Sequence, residues 1–218
     1  MGNSVPGVSS DTPSANEAET KLLESALSLF SDRGYEGTSI REIIEGAGVT
    51  RPVLYYYFEN KEDLFTRLVE EKFSELVSEI EQVRFEYETC SDRLKSIIRK
   101  AFHLAEENPE AVRLILQVFF APPQQGPPLD RKALARKRFR HIEDIMQEGL
   151  DNKEISGGDA QSLGLVFLGI MDMHVMAKTN RPETRLTPEL ADGLIDLFIC
   201  GASYKEPPAT HLVSPYSF

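Results

Sequence analysis

Positive charge is in short supply in this sequence. Its 24 lysines and arginines stand against 35 aspartates and glutamates, for a formal net charge of −11. A chain this acidic does not coat nucleic acid through a general basic field, because the phosphate polyanion repels it. Any contact with nucleic acid must rest on a few placed groups. Cysteine is scarce too: Cys90 and Cys200 lie far apart and no C-x-x-C spacing occurs. That excludes a zinc knuckle and a thioredoxin-like redox pair, and both residues read as reduced thiols. His103, His141 and His174 form no i, i+4 pair, so no metal site is expected. No uninterrupted apolar run reaches about 18 residues, so no membrane span is expected. Met1 to Asn16, rich in Ser, Pro, Gly and Asn, has neither the basic start nor the apolar stretch of a secretory signal. It reads as a disordered tail, and the expected location is the cytoplasm. H-E-x-x-H, P-loop, G-x-S-x-G and repeated E-x-x-H patterns are all missing. No catalytic residue, cofactor or metal is therefore expected, and the chain does not read as an enzyme.

What is present is helical periodicity almost throughout. The 218 residues are 41% apolar, enough for one or two small domains with a packed core. Leu22, Ala26, Leu29 and Phe30 recur at helical spacing and predict a first helix over about 17–32, stopped at Gly34. Ile40, Ile43, Ile44 and Ala47 predict a second short helix, opened by the S-x-x-E capping box of Ser39 and Glu42. A third follows Gly46 and Gly48, with Thr50 at its N-cap and Pro52 in its first turn. Longer helices are predicted over 61–87, 92–107, 110–120, 130–150, 159–178 and 188–203. The proline-rich stretch 121–128 reads as a loop and the end from Lys205 as a tail. The expected fold is all-α: a disordered tail over 1–16, a three-helix head over 17–61, a longer helical domain over 62–204, and a tail over 205–218.

Two short helices joined by Gly46-Ala47-Gly48-Val49 have the form of a helix-turn-helix. The tight turn steepens the angle between them, so the second can enter a major groove about 12 Å wide. Its outer face carries Arg51, Val53, Tyr55 and Tyr56. Arginine can fork onto guanine, and tyrosine hydroxyls can reach phosphates. Lys61, just past the helix, can close on the backbone. Between Thr38 and Lys61, however, Arg41, Arg51 and Lys61 are matched by Glu42, Glu45 and Glu59, a sum of zero. This balance is poor for a DNA face, unless the acids point away. It leaves a second reading open, a helical adaptor that binds only protein and carries a disused DNA-binding domain.

The series Leu29-Phe30-Ser31-Asp32-Arg33-Gly34-Tyr35-Glu36-Gly37-Thr38-Ser39-Ile40-Arg41-Glu42-Ile43, then Ala47-Gly48-Val49-Thr50, Leu54-Tyr55-Tyr56-Tyr57-Phe58 and Asn60-Lys61-Glu62-Asp63-Leu64 resembles the DNA-binding domain of the tetracycline-repressor (TetR) family. It covers about a fifth of the chain. The resemblance implies a ligand-responsive transcriptional regulator, a repressor that binds a palindromic operator as a homodimer. It implies DNA contacts at Thr38, Arg41, Thr50, Arg51, Pro52, Val53, Tyr55, Tyr56, Tyr57 and Lys61. Tyr57 stands where the family often shows histidine, and it keeps a hydrogen-bond donor.

The resemblance also implies that the last two long helices pair with their copies in a second subunit. The helix over 159–178 is apolar almost all round and independently asks for cover on more than one side. The expected interface is Leu163, Val166, Phe167, Ile170, Leu190, Leu194, Leu197 and Phe198. An effector pocket is implied among the middle helices, with Phe102, His103, Phe119, Phe120, Met146 and Met171 as apolar or aromatic candidates and Arg113, Gln117 and His174 as polar ones. The expected partners are double-stranded DNA, a second copy of the chain and a small-molecule effector, with no membrane. Arg131, Lys132, Arg136, Lys137, Arg138 and Arg140 form a basic run that reads as a solvated helix face. An anionic ligand, a partner surface or an extra DNA contact are its other readings.

Overall fold

A computed structural model describes residues 15–120, 126–127 and 129–203. Among these, nine helices and no strand occur: α1 (Ala15–Arg33), α2 (Ile40–Ala47), α3 (Arg51–Tyr57), α4 (Lys61–Glu86), α5 (Cys90–Glu107), α6 (Pro109–Phe120), α7 (Arg131–Asp151), α8 (Ala160–Asn180) and α9 (Pro188–Ala202). Residues 1–14 of the expected first tail, residues 205–218 of the second and most of the expected loop at 121–128 lie outside the described residues, while Ala15 and Asn16 already belong to α1. Helix starts follow local chemistry. Ser39, Asn60, Thr89, Asp130, Asp159 and Thr187 each accept a backbone N–H of the first turn. The Thr89 cap starts α5 at Cys90, two residues earlier than the periodicity predicts.

The α2–α3 turn is closed by glycine. Gly48 has φ +64°, and its N–H and that of Val49 return to the last carbonyls of α2, the closure that favours glycine at this position. Gly46 is required for a different reason. A Cβ there would sit 2.4 Å from Ser25 Oγ, the hydroxyl that donates to the Ile43 carbonyl and seats α2 on α1.

Two apolar cores form. The first joins α1, α2 and α3 to the first turns of α4 through Leu22, Phe30, Ile43, Leu54, Phe58, Leu64 and Leu68, and takes Leu114 and Val118 from α6. The second gathers the end of α4 with α5, α7, α8 and α9 around Val83, Leu94, Ile98, Ile142, Met146, Phe167 and Ile195. Helix α4 therefore passes from one core into the other, and α6 contributes to both.

α8 divides the residues expected at the subunit interface. By length and mean hydropathy (1.4 over 18 residues) it could cross a membrane, although the sequence has no uninterrupted apolar run. It is broken by Asp172 and His174 and packs against α7. Its apolar residues lie on two sides, one inward and one outward. Leu163, Phe167 and Met171 fill the protomer's own core, as Phe198 of α9 does. Leu163, Phe167 and Phe198, expected at the interface, are buried in the core of the single chain. The outward row is Val166, Gly169 and Met173 on α8, continued by Leu190, Gly193, Leu197 and Gly201 on α9. Ile170 and Leu194 lie half-buried beside it.

Cys90 is buried against Gly149, and burial pushes its thiol pKa up to about 12, with Glu154 and Glu148 adding to the shift. A thiol raised this far stays protonated, and the thiolate is the reactive form. Iodoacetamide at pH 8 is expected to leave Cys90 unmodified in the native protein and to modify it in denaturant, as read by peptide mass spectrometry. Equal labelling in both states would contradict this packing.

Candidate nucleic-acid interface and effector cavity

The reading head has its acids tied down. The Glu42 carboxylate accepts from the Ser39 backbone N–H at 2.9 Å and the Ser39 hydroxyl at 2.7 Å, and pairs with Arg33 at 2.7 Å. The Ser39 hydroxyl, the Ser39 N–H and Arg33 hold the carboxyl below the usual carboxylate range, so it stays anionic. Glu45 pairs with Arg41 one turn away at 2.8 Å. The zero sum of the sequence therefore hides an asymmetry: two of the three acids are engaged along α2. Arg51, exposed at the start of α3, has no carboxylate within ion-pair distance among the described residues. Its guanidinium carbon lies 5.9 Å from the centre of the Tyr55 ring. Tyr55 is 48% exposed and Tyr56 78%, which leaves both hydroxyls available to an outside partner. Pro52 is exposed and Val53 half-buried. Thr50 occupies the N-cap position, but its hydroxyl makes no capping bond. Tyr57 is half-buried, edge-on to Tyr56 with ring centres 4.9 Å apart.

Two expected phosphate contacts are engaged inside the head instead. Thr38 is 2% exposed, and its hydroxyl is shared between the carbonyls of Leu29 (3.1 Å) and Gly34 (2.9 Å). The Lys61 ammonium donates to the carbonyls of Tyr35 (2.9 Å) and Thr38 (3.0 Å) and lies 4.0 Å from the centre of the Tyr35 ring. The physical reason is the α1–α2 turn, whose carbonyls have no helical partner and need donors. Lys61 thereby fixes the start of α4 to the head. Arg67 does the same one turn and a half later, donating to the Tyr57 carbonyl and to Glu19 while lying over the Phe58 ring.

Behind the head, α4, α5 and α6 enclose a cavity of about 460 Å³, with Met171 of α8 at its far side. Its floor is aliphatic: Leu76, Ile80, Ile97, Leu104 and Ile115. Its polar lining includes Lys72, Lys100 and His103, with Glu75, Glu79 and Glu107. Apolar walls with a few polar groups are the ordinary make-up of a small-molecule site. Of the residues expected to bind effector, His103 and Met171 line this space. Phe102 and Met146 are buried in the second core. His174 is half-buried beside Phe102, its Nδ1 2.7 Å from the Ile170 carbonyl. Gln117 faces the head, donating to the Ser31 carbonyl at 2.9 Å. Phe120 is 59% exposed at the end of α6, and Arg113 and Phe119 are half-buried outside the cavity lining. The aliphatic floor was missed because Leu76, Ile97 and Ile115 repeat at helical spacing like any core residue.

The cavity and the head share two helices. α4 lines the cavity with Lys72 to Ile80 and holds the head with Lys61 and Arg67. α6 lines it with Ala111 and Ile115 and contacts α1 through Glu110 to Ser28 (2.9 Å) and Gln117 to Ser31.

A helix-turn-helix head whose supporting helices wall an apolar cavity defines a DNA-binding regulator with an effector domain. Residues 22–68 match the family of bacterial regulatory proteins, tetR family. The match spans the helix-turn-helix head and the first turns of α4, where the chain is similar to TetR-family transcriptional regulators. It is 24% identical over 188 residues to the fatty acid metabolism regulator protein of Bacillus subtilis, covering 85% of this chain and 95% of that one. The crystal structure of FadR from Bacillus subtilis in complex with stearoyl-CoA superposes with a TM-score of 0.72 at 22% identity, over 84% of this chain and 98% of that one. The structure of AibR in complex with isovaleryl coenzyme A and operator DNA gives 0.67 at 24% identity, over 83% and 97%. These two structural likenesses carry the fold.

Proposed function

We propose that this chain is a homodimeric repressor whose operator affinity falls when an acyl-coenzyme A thioester enters the cavity. The carrying observation is that α4 and α6 each wall the aliphatic cavity and each bond to the reading head. A ligand that prefers a different spacing of these helices must alter the separation of the two heads, and by linkage DNA affinity changes with it. The acyl chain fits the aliphatic floor, as the effectors named for FadR and AibR suggest. Lys72, Lys100 and His103 meet the polar thioester end. The DNA-reading set is Arg41, Thr50, Arg51, Pro52, Val53, Tyr55 and Tyr56, with Tyr57 beside it. The interface between subunits is the outward row of α8 and α9. The protein acts by binding, not catalysis, and works in the cytoplasm. The adaptor reading loses its support, since the acids that cancel the charge of the head are engaged along α2.

Selection of bound sequences from a random DNA pool at about 0.15 M salt is expected to yield a palindrome, its half-sites one helical turn or a multiple apart. Arg51→Ala is expected to weaken that site by about ten- to a hundredfold, the value of one good base contact. On the same operator, a series of acyl-coenzyme A thioesters from two to eighteen carbons is expected to release the protein with a clear optimum in chain length. No enriched sequence, with Arg51→Ala indistinguishable from wild type, would bring the adaptor reading forward. An enriched palindrome with no response to any thioester would remove the effector assignment alone.

A further inference from the structure

The cavity has an inner end that the aliphatic floor does not explain. Leu76, Ala101, Leu104, Ile115 and Met171 line both the main cavity and a small extension of about 40 Å³. The extension is also lined by Val112, Leu116 and Val175 and by an ion pair, Arg138 with Asp172. Arg138 belongs to the basic run read as a solvated face, yet its side chain is only 8% exposed and that of Asp172 15%. Asp172 takes the end of the guanidinium: Nη1 donates to Oδ2 at 3.0 Å and Nη2 to Oδ1 at 2.5 Å. Phe119 covers the group, with its ring centre 5.6 Å from Cζ. The Nε–H is fully buried and finds no acceptor among the described residues. Nη2 also carries a second N–H, since one guanidinium has five donors in a fixed fork.

A buried pair kept only for stability would have no need of an apolar cavity at its side or of an orphaned donor, since a buried N–H without an acceptor costs free energy. Charge narrows what could satisfy it. Asp172 already neutralises Arg138, so a second carboxylate would leave an excess negative charge in an apolar surround, which is expensive. A hydroxyl or ketone oxygen accepts the N–H and leaves the pair balanced. We infer that the inner end of the cavity is a subsite for a neutral acceptor oxygen on the buried part of the effector, so that the acyl group recognised is an oxygenated one. This rests on the effector reading above and adds its specificity.

The test uses the full chain and isothermal titration at the chain length that releases the operator best. The plain saturated acyl-coenzyme A is compared with its hydroxy and oxo derivatives substituted along the distal half of the chain. One of the oxygenated thioesters is expected to bind about tenfold tighter than the plain one, the scale of a hydrogen bond to a charged donor. The double variant R138M/D172L removes both charges together, which a fold usually tolerates. It is expected to lose that preference while the plain thioester still binds. Equal or weaker binding of every oxygenated derivative to wild type would overturn the inference and leave the effector reading intact. A preference that persists in R138M/D172L would also overturn it. Binding of no thioester at all would remove both. Should the double variant fail to fold, the wild-type comparison decides.

Discussion

A chain carrying Val166→Asp and Leu197→Asp is expected to run as a monomer and to lose operator binding. Leu197 is 73% exposed and Val166 45%, on the rows of α8 and α9 that no other described element covers. Gly169, Gly193 and Gly201 meet nothing within 4 Å on the same rows, so a second backbone can approach closely. Both substitutions face solvent in the single chain and leave its two cores untouched, so helix content should hold. Across a two-fold interface each change occurs twice, placing four carboxylates where apolar surface would otherwise be covered. Two heads joined in one dimer gain from effective concentration, typically a factor of 10² to 10⁴ over one head alone. Light scattering should therefore report half the wild-type mass, and fluorescence anisotropy a loss of affinity of roughly a hundredfold or more. A variant that stayed dimeric would place the interface elsewhere.

The second large effect concerns Arg138→Met alone. This change leaves the Asp172 carboxylate without its cation at a site where its side chain is only 15% exposed. Breaking a buried pair from one side costs about 3–5 kcal/mol, much of it from the stranded charge. Urea denaturation at neutral pH should show a loss of that order. The added Asp172→Leu should recover most of it, because the two substitutions share one interaction and cannot be additive. A single variant within about 1 kcal/mol of wild type would mean that water reaches Asp172 freely.

The tie of Lys61 to the Tyr35 and Thr38 carbonyls alters how the DNA signal is read. A lysine after the recognition helix reads as a phosphate contact when only sequence is at hand. Here it ties the start of α4 to the α1–α2 turn of the head.

The sequence by itself determined the helices to within about two residues, the turn and the likeness of the head to a known family. Periodicity, a capping side chain three residues from its N–H, and Gly48 at a left-handed turn are all local, and the chain can be read within one or two turns. The proposed DNA-reading residues on α3 follow from the same local logic, since a helix of known register shows which residues share a face. Tertiary structure alone decided what each apolar or charged face meets. Lys61 finds its acceptors 26 and 23 residues earlier, and Arg138 its carboxylate 34 residues later. α8 is apolar on all sides, so its composition could not say that Phe167 faces inward and Val166 outward. The cavity is hidden for the same reason. Leu76, Ile97 and Ile115 carry the spacing of a packed core, and only the separation of α4, α5 and α6 leaves space between them.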